Sequence, residues 1–133
     1  MPHMTIEYSA NLAGRADMQA AVDAAHEAML ASGLFEIGAV RVRAYESDAY
    51  GIADRHPDNA FVHLCLRIGA GREAAEKRAA GDVIYRAMLA QFETLLASPY
   101  FALSFEICEI DAALSWKTNA MHGRLRSNSS GRT

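Results

Sequence analysis

The sequence predicts an α/β domain of the α+β type, two fused βαβ repeats forming one four-stranded sheet with two helices on one face. Three observations carry this expectation. Strand-like and helix-like runs follow one another as strand–helix–strand, twice over, with short turns between them. Each helical run has a single apolar stripe, enough to cover one side of a sheet. The chain has 133 residues, 51% of them apolar and 22% charged, which suits one domain with a packed core.

The elements follow in order. Met4, Ile6 and Tyr8 alternate with Thr5, Glu7 and Ser9, a strand period that starts without a frayed tail. Residues 11–17 form a polar turn. Met18, Val22, Ala25 and Met29 then recur at helical spacing, and Gly33 stops the helix. Residues 40–45 are the second strand, and the polar stretch 47–59 (SDAYGIADRHPDN) is a loop or a small hairpin. The plan then repeats. Residues 61–68 (FVHLCLRI) are a strand and 69–72 a turn. A long helix from Glu73 to about Ser98 carries Ile84, Met88, Phe92 and Leu95 on one stripe; Pro99 ends it, and residues 102–110 are the fourth strand. Repeat one spans about 2–46 and repeat two about 60–110, within a single domain 1–123. Residues 116–122 are placed to pack on a neighbour, and 124–133, ending in SNSSGRT, have the composition of a disordered tail. A sheet covered on one side leaves Phe61 and Phe105 on its other face, so oligomerisation is expected.

Composition excludes several classes of function. A formal charge of −3 and a pI near 5.9 give no concentrated basic surface, which argues against nucleic acid as a main partner. No run approaches the ~18 apolar residues of a membrane span. Glu7 interrupts the first apolar run and no basic segment precedes it, so a cytoplasmic protein is expected. Cys65 and Cys108 lie in apolar strand-like runs without zinc-site spacing; two reduced core thiols are expected rather than a disulfide, and no metal site is assigned.

The chemistry-bearing candidates are few. Met-Pro is a start from which the initiator Met is normally removed, leaving a secondary amine on Pro2. An α-amino group titrates near about 8; burial or nearby positive charge lowers that value and makes the amine a competent general base at neutral pH. Strand alternation places Arg41 and Arg43 opposite Val40 and Val42, on the open face of the sheet. There they either form a solvated, salt-bridged surface or hold a carboxylate. Arg72 sits at a helix start, where the macrodipole disfavours a cation. The turn Gly69-Ala70-Gly71-Arg72 is either an ordinary connection or an anion site. His3, His26, His56, His63 and His122 pair with no Ser or Cys in a nucleophile motif.

The residues Pro2-His3-Met4-Thr5-Ile6-Glu7-Tyr8-Ser9-Ala10-Asn11 resemble the start of the 5-carboxymethyl-2-hydroxymuconate isomerase family, part of the amino-terminal-proline tautomerase superfamily. Further matches run in order: Arg41-Val42-Arg43-Ala44, residues 60–63 leading to 68–72, residues 102–107, and Lys117-Thr118-Asn119-Ala120-Met121-His122. The resemblance covers residues 2 to about 122. It implies a homotrimer of fused βαβ units with one site per chain and no cofactor. Pro2 would be the catalytic base, and Arg41 and Arg72 would bind a dicarboxylate or tricarboxylate substrate. The implied reaction converts a 2-hydroxymuconate-type dienol acid to its 2-keto isomer in homoprotocatechuate degradation. Arg15 falls outside the family's turn pattern and is given no role. Two other readings stand beside this one: a related tautomerase acting on another unsaturated or keto acid, and a non-catalytic oligomeric binding module of the same fold.

Overall fold

The computed structural model describes residues 1–130, with side chains described through residue 127. Strand β1 (His3–Ser9), helix α1 (Met18–Ala31) and strand β2 (Arg41–Ser47) form the first repeat. Strand β3 (Ala60–Gly69), helices α2 (Ala74–Gln91) and α3 (Glu93–Leu96), and strand β4 (Phe101–Ile110) form the second. The sheet order is β2-β1-β3-β4. Within each repeat the strands are parallel, as a helical crossover requires. The repeats meet through an antiparallel β1–β3 pair in which Met4 opposes Leu66 and Ile6 opposes Leu64.

Alternation makes the core. Met4 and Ile6 on β1, with Val62, Leu64, Leu66 and Ile68 on β3, are fully buried on one face. Ala21, Ala25 and Met29 of α1 and Ile84 and Met88 of α2 join them in one cluster. Small alanines on α1 bring the helix close to the sheet. Each fully buried Leu, Ile or Met contributes about 1.5–3 kcal/mol relative to exposure.

The two repeats are stitched at the Ser9 end of β1. Ser9 Oγ accepts from Phe61 N at 3.0 Å and donates to Asn11 Oδ1 at 2.8 Å, while Asn11 Nδ2 donates to Asn59 O at 2.7 Å. Asn59 Nδ2 in turn donates to Ile52 O and Asp54 Oδ1, which folds residues 48–59 into an irregular loop without strand pairing.

Four expectations are corrected. The long helix divides at Phe92, whose backbone (φ −104°, ψ 20°) leaves the helical region; its buried ring lies 5.8 Å from that of Phe101. Phe105 does not face the open side. It registers with Leu64 and packs among the helices beside Gly81 of α2. Cys65 and Cys108 are not core thiols, because β3 buries its even-numbered residues and Cys65 points the other way, as does Cys108 opposite Arg67. Finally, part of the expected tail is ordered. Helix α4 (Met121–Ser130) packs on the 3₁₀ turn Ile37–Ala39, with Arg126 Nη2 donating to Glu36 Oε1 at 2.7 Å. Residues 131–133 lie outside the described residues. Among the described residues, no helix is long and apolar enough to cross a membrane.

Candidate active site

Four segments far apart in sequence meet at the start of β1: Pro2, the stretch Phe35–Ala39, the turn before α2, and residues 117–122. They enclose a cavity of about 320 Å³. Pro2 is placed by β1, a central strand that begins at the next residue, and it is buried in the cavity wall. Arg72 is placed by Gly71, whose φ of +112° bends the chain just before α2 in a conformation that suits glycine. Its guanidinium donates to Gly69 O and Leu34 O, both at 3.4 Å, and lies 5.3 Å from the centre of the Phe35 ring. Both hydrogen bonds are long, and a guanidinium has five N–H donors, so capacity remains for an anion. Negative charge at the α2 start comes from the Glu73–Glu76 capping box. Arg72 precedes it and lines the cavity.

Arg41 stands differently. It is on the open face opposite His3, and its Nη1 donates to Ala39 O at 2.9 Å. Ala39 lines the cavity and Arg41 does not. The structure therefore brings Pro2 and Arg72 together and sets Arg41 at the margin, close enough for its charge to act. Arg43 is further out, with Nη1 3.2 Å from His3 Nδ1 and Nε donating to Tyr45 Oη at 3.1 Å. Because a guanidinium only donates, His3 Nδ1 is an acceptor here. Burial, then Arg43 and Arg41, hold the His3 pKa below its ordinary value, which favours this neutral form.

Three residues to which the sequence assigned no site role complete the site: Lys117, Asn119 and His122. Asn119 Nδ2 donates to Gly38 O at 2.7 Å, and its Oδ1 accepts from Met121 N at 3.0 Å, fixing the entry to α4. A Cβ on Gly38 would fall 2.9 Å from His122 Nδ1 and 3.3 Å from its backbone nitrogen, so only glycine admits α4 this closely. His122 Nδ1 lies 3.3 Å from Glu36 Oε2 without hydrogen-bond alignment. The sequence signal for all three was the run 117–122, which resembles the family but carries no strand or helix period to place it.

The site is cationic. Arg126 holds the Glu36 carboxyl below the usual range and neutralises it, leaving Arg72 and Lys117 as the charges on the cavity wall. The Met1 amine is likewise held below its ordinary value, first by burial, then by the charge and hydrogen bond of Lys117, then by Arg72 and Arg41. This arrangement can keep an amine neutral and gather carboxylates beside it.

A profile of the 5-carboxymethyl-2-hydroxymuconate isomerase family matches residues 2–125. The chain belongs to this family. It is 34% identical over 126 residues to the 5-carboxymethyl-2-hydroxymuconate Delta-isomerase of Escherichia coli, covering 95% of this chain and 100% of that protein. The crystal structure of a 5-carboxymethyl-2-hydroxymuconate isomerase from Deinococcus radiodurans R1 superposes with a TM-score of 0.87 at 37% identity, covering 94% of each chain. A fused 4-OT, described as a symmetric trimer, shares the fold with a TM-score of 0.56 at 13% identity, over 87% of this chain and 93% of that one. The chain is thus an isomerase-family member with the tautomerase fold.

Proposed function

We propose that the chain isomerises 5-carboxymethyl-2-hydroxymuconate, with the amine of Pro2 as general base once Met1 is removed. The observation that carries this is the position of Pro2, buried in a cavity wall shared with Arg72 and Lys117. Removal of Met1 passes the amine to Pro2, which lines the same cavity and is buried where Met1 is half-buried.

The reaction is a proton transfer that conserves atoms. The amine takes the 2-hydroxyl proton, the oxygen becomes the ketone, the two conjugated C=C bonds (C2=C3 and C4=C5) give way to a single C3=C4 bond, and the proton is delivered to C5. Negative charge develops on the 2-oxygen and spreads along the conjugated chain, so the substrate supplies its own electron sink. Fixed cations stabilise such charge without reorganising. Muconate has two carboxylates and the carboxymethyl arm adds a third. Arg72, Lys117 and Arg41 provide three cations around one amine, with Arg72 the fork for a bidentate pair.

Family membership supports the substrate class, and the homoprotocatechuate route is the metabolic setting in which this acid is consumed. The same reading includes a cytoplasmic homotrimer. Trp116 and Leu114, 84% and 71% exposed, present apolar surface beside residues 117–122, suited to packing on a neighbouring subunit.

The test follows loss of the dienol absorbance with native-start enzyme and with a chain carrying one extra residue before Pro2. The extended chain, whose Pro2 nitrogen is a non-basic amide, is expected to be inactive. A related tautomerase would prefer another 2-hydroxydienoate or phenylpyruvate in the same assay. A binding module would retain Met1 in its host and show no turnover.

A further inference from the structure

On the open face of the sheet, away from the cavity, the β3–β4 pairing brings together two cysteines 43 residues apart, with Sγ atoms 3.7 Å from each other. Cys65 registers with Glu106, and Cys108 lies one step further on the same face. The two sulfurs and a Glu106 carboxylate oxygen all lie within 4.8 Å of one another. Among the described residues this is the one cluster of three such groups. No zinc-like sequence spacing announces it, because the parallel register rather than a short loop makes it.

We infer that Cys65, Cys108 and Glu106 form a binding site for a thiophilic divalent cation such as zinc. The geometry carries the assignment. Tetrahedral zinc with Zn–S bonds of about 2.3 Å has its sulfurs about 3.8 Å apart, close to the 3.7 Å observed before any metal draws them together. A carboxylate is the usual hard partner of such a pair, and water fills the fourth position. Beside the carboxylate, His63 Nε2 lies 3.5 Å from Glu106 Oε1, and His63 Nδ1 is 2.7 Å from Ser104 Oγ. That is the outer support that metal-binding carboxylates use.

The protons balance simply. Each thiol releases one to solvent as its metal–sulfur bond forms, and no oxidant is involved. Without metal, burial, then the hydrogen bond shared with Cys108, raises the Cys65 thiol to about 11. Arg67, opposite Cys108, offsets part of the negative charge of two thiolates and a carboxylate. None of these residues lines the catalytic cavity, so the site is independent of the proposed isomerase chemistry.

Cobalt(II) titration of the full-length, reduced protein tests the inference. Expected are one cobalt per chain, a thiolate-to-cobalt charge-transfer band in the near ultraviolet, tetrahedral visible bands, and displacement by zinc. Cys65→Ser and Cys108→Ser should each weaken the band and lower affinity sharply. Glu106→Gln should keep the band at reduced affinity, and His63→Ala should cost about 10–100-fold in affinity. Circular dichroism and the dienol assay check that each variant is folded. Cobalt bound without the thiolate band, a band that survives Cys108→Ser unchanged, or no uptake by folded wild-type protein overturns the assignment.

Discussion

Replacing Arg72 by Ala removes a guanidinium whose ties to the fold are weak and whose position in the cavity is central. Its structural bonds are two contacts to Gly69 O and Leu34 O at 3.4 Å, near the limit of a hydrogen bond, and the approach to the Phe35 ring at 5.3 Å. The ring contact contributes about 0.5–1 kcal/mol at an accessible site. The total structural loss is therefore about 1 kcal/mol, a fall in Tm of about 3–5 °C for a domain of this size. A charge-assisted hydrogen bond to a substrate carboxylate is worth about 1.5–3 kcal/mol. At about 1.4 kcal/mol per decade, kcat/KM should drop roughly ten- to a hundredfold. Initial rates of dienol loss, measured beside thermal denaturation at the assay pH, separate the two effects. Arg72→Lys keeps the charge but not the fork and should fall between wild type and Ala. If Arg72→Ala retains kcat/KM within twofold, or if Arg41→Ala is damaged while Arg72→Ala is not, the geometric ordering of the two arginines is wrong.

The remaining predictions follow from the same site. With the Pro2 amine as base, kcat/KM should rise with pH through an amine pKa below that of an exposed prolyl amine, because Pro2 is buried in a wall shared with Arg72 and Lys117, and burial, Lys117, Arg72 and Arg41 already lower the Met1 amine beside it. Pro2→Ala should keep some activity with a displaced limb; a limb that instead disappears in His3→Ala points to a histidine base. Lys117→Met should shift that limb upward, toward an unperturbed amine, and raise KM. Glu36 has a depressed pKa through Arg126, so its pairing stabilises α4 above the unfolded carboxyl's pKa and is lost as pH falls through the lowered value. Hydrogen exchange of α4 amides should accelerate on acidification, and Glu36→Gln should reproduce the change at neutral pH. Gly38→Ala should displace α4 through the 2.9 Å approach to His122, lowering turnover with little change in the core's thermal transition.

The sheet was legible because its signals are local. Met4 and Ile6 alternate with polar neighbours, Ile84 and Met88 fall four apart, and Gly33 and Pro99 punctuate the helical runs. Pro2 and Arg72 were legible for a related reason, each sitting at the edge of a periodic element. What stayed hidden depends on long-range pairing. Phe105 changes face through its register with Leu64, a one-residue matter that alternation alone leaves open. Cys65 and Cys108 become neighbours only when β3 and β4 pair. Residues 117–122 have no period, and their place is set by Asn119 reaching Gly38, 81 residues away. Polar composition pointed to disorder from residue 124 onward, but the Arg126–Glu36 pair holds part of that stretch as helix.

The meeting of Met1 with Asn119, whose Nδ2 lies 3.7 Å from the Met1 sulfur across 118 residues of sequence, has a consequence for biosynthesis. A ribosome delivers Pro2 first and Lys117 and His122 more than a hundred codons later. The late segment follows the end of β4 by only a few residues, so the second repeat and the cavity's remaining wall emerge together, and until then the cavity lacks its second cation and one wall. Nascent chains and products of premature termination before residue 117 thus retain the material for the sheet without the surroundings that tune the amine. Only a chain translated past residue 122 carries every piece of the site, so catalytic competence arrives as a late event of synthesis rather than as a property of the folded repeats.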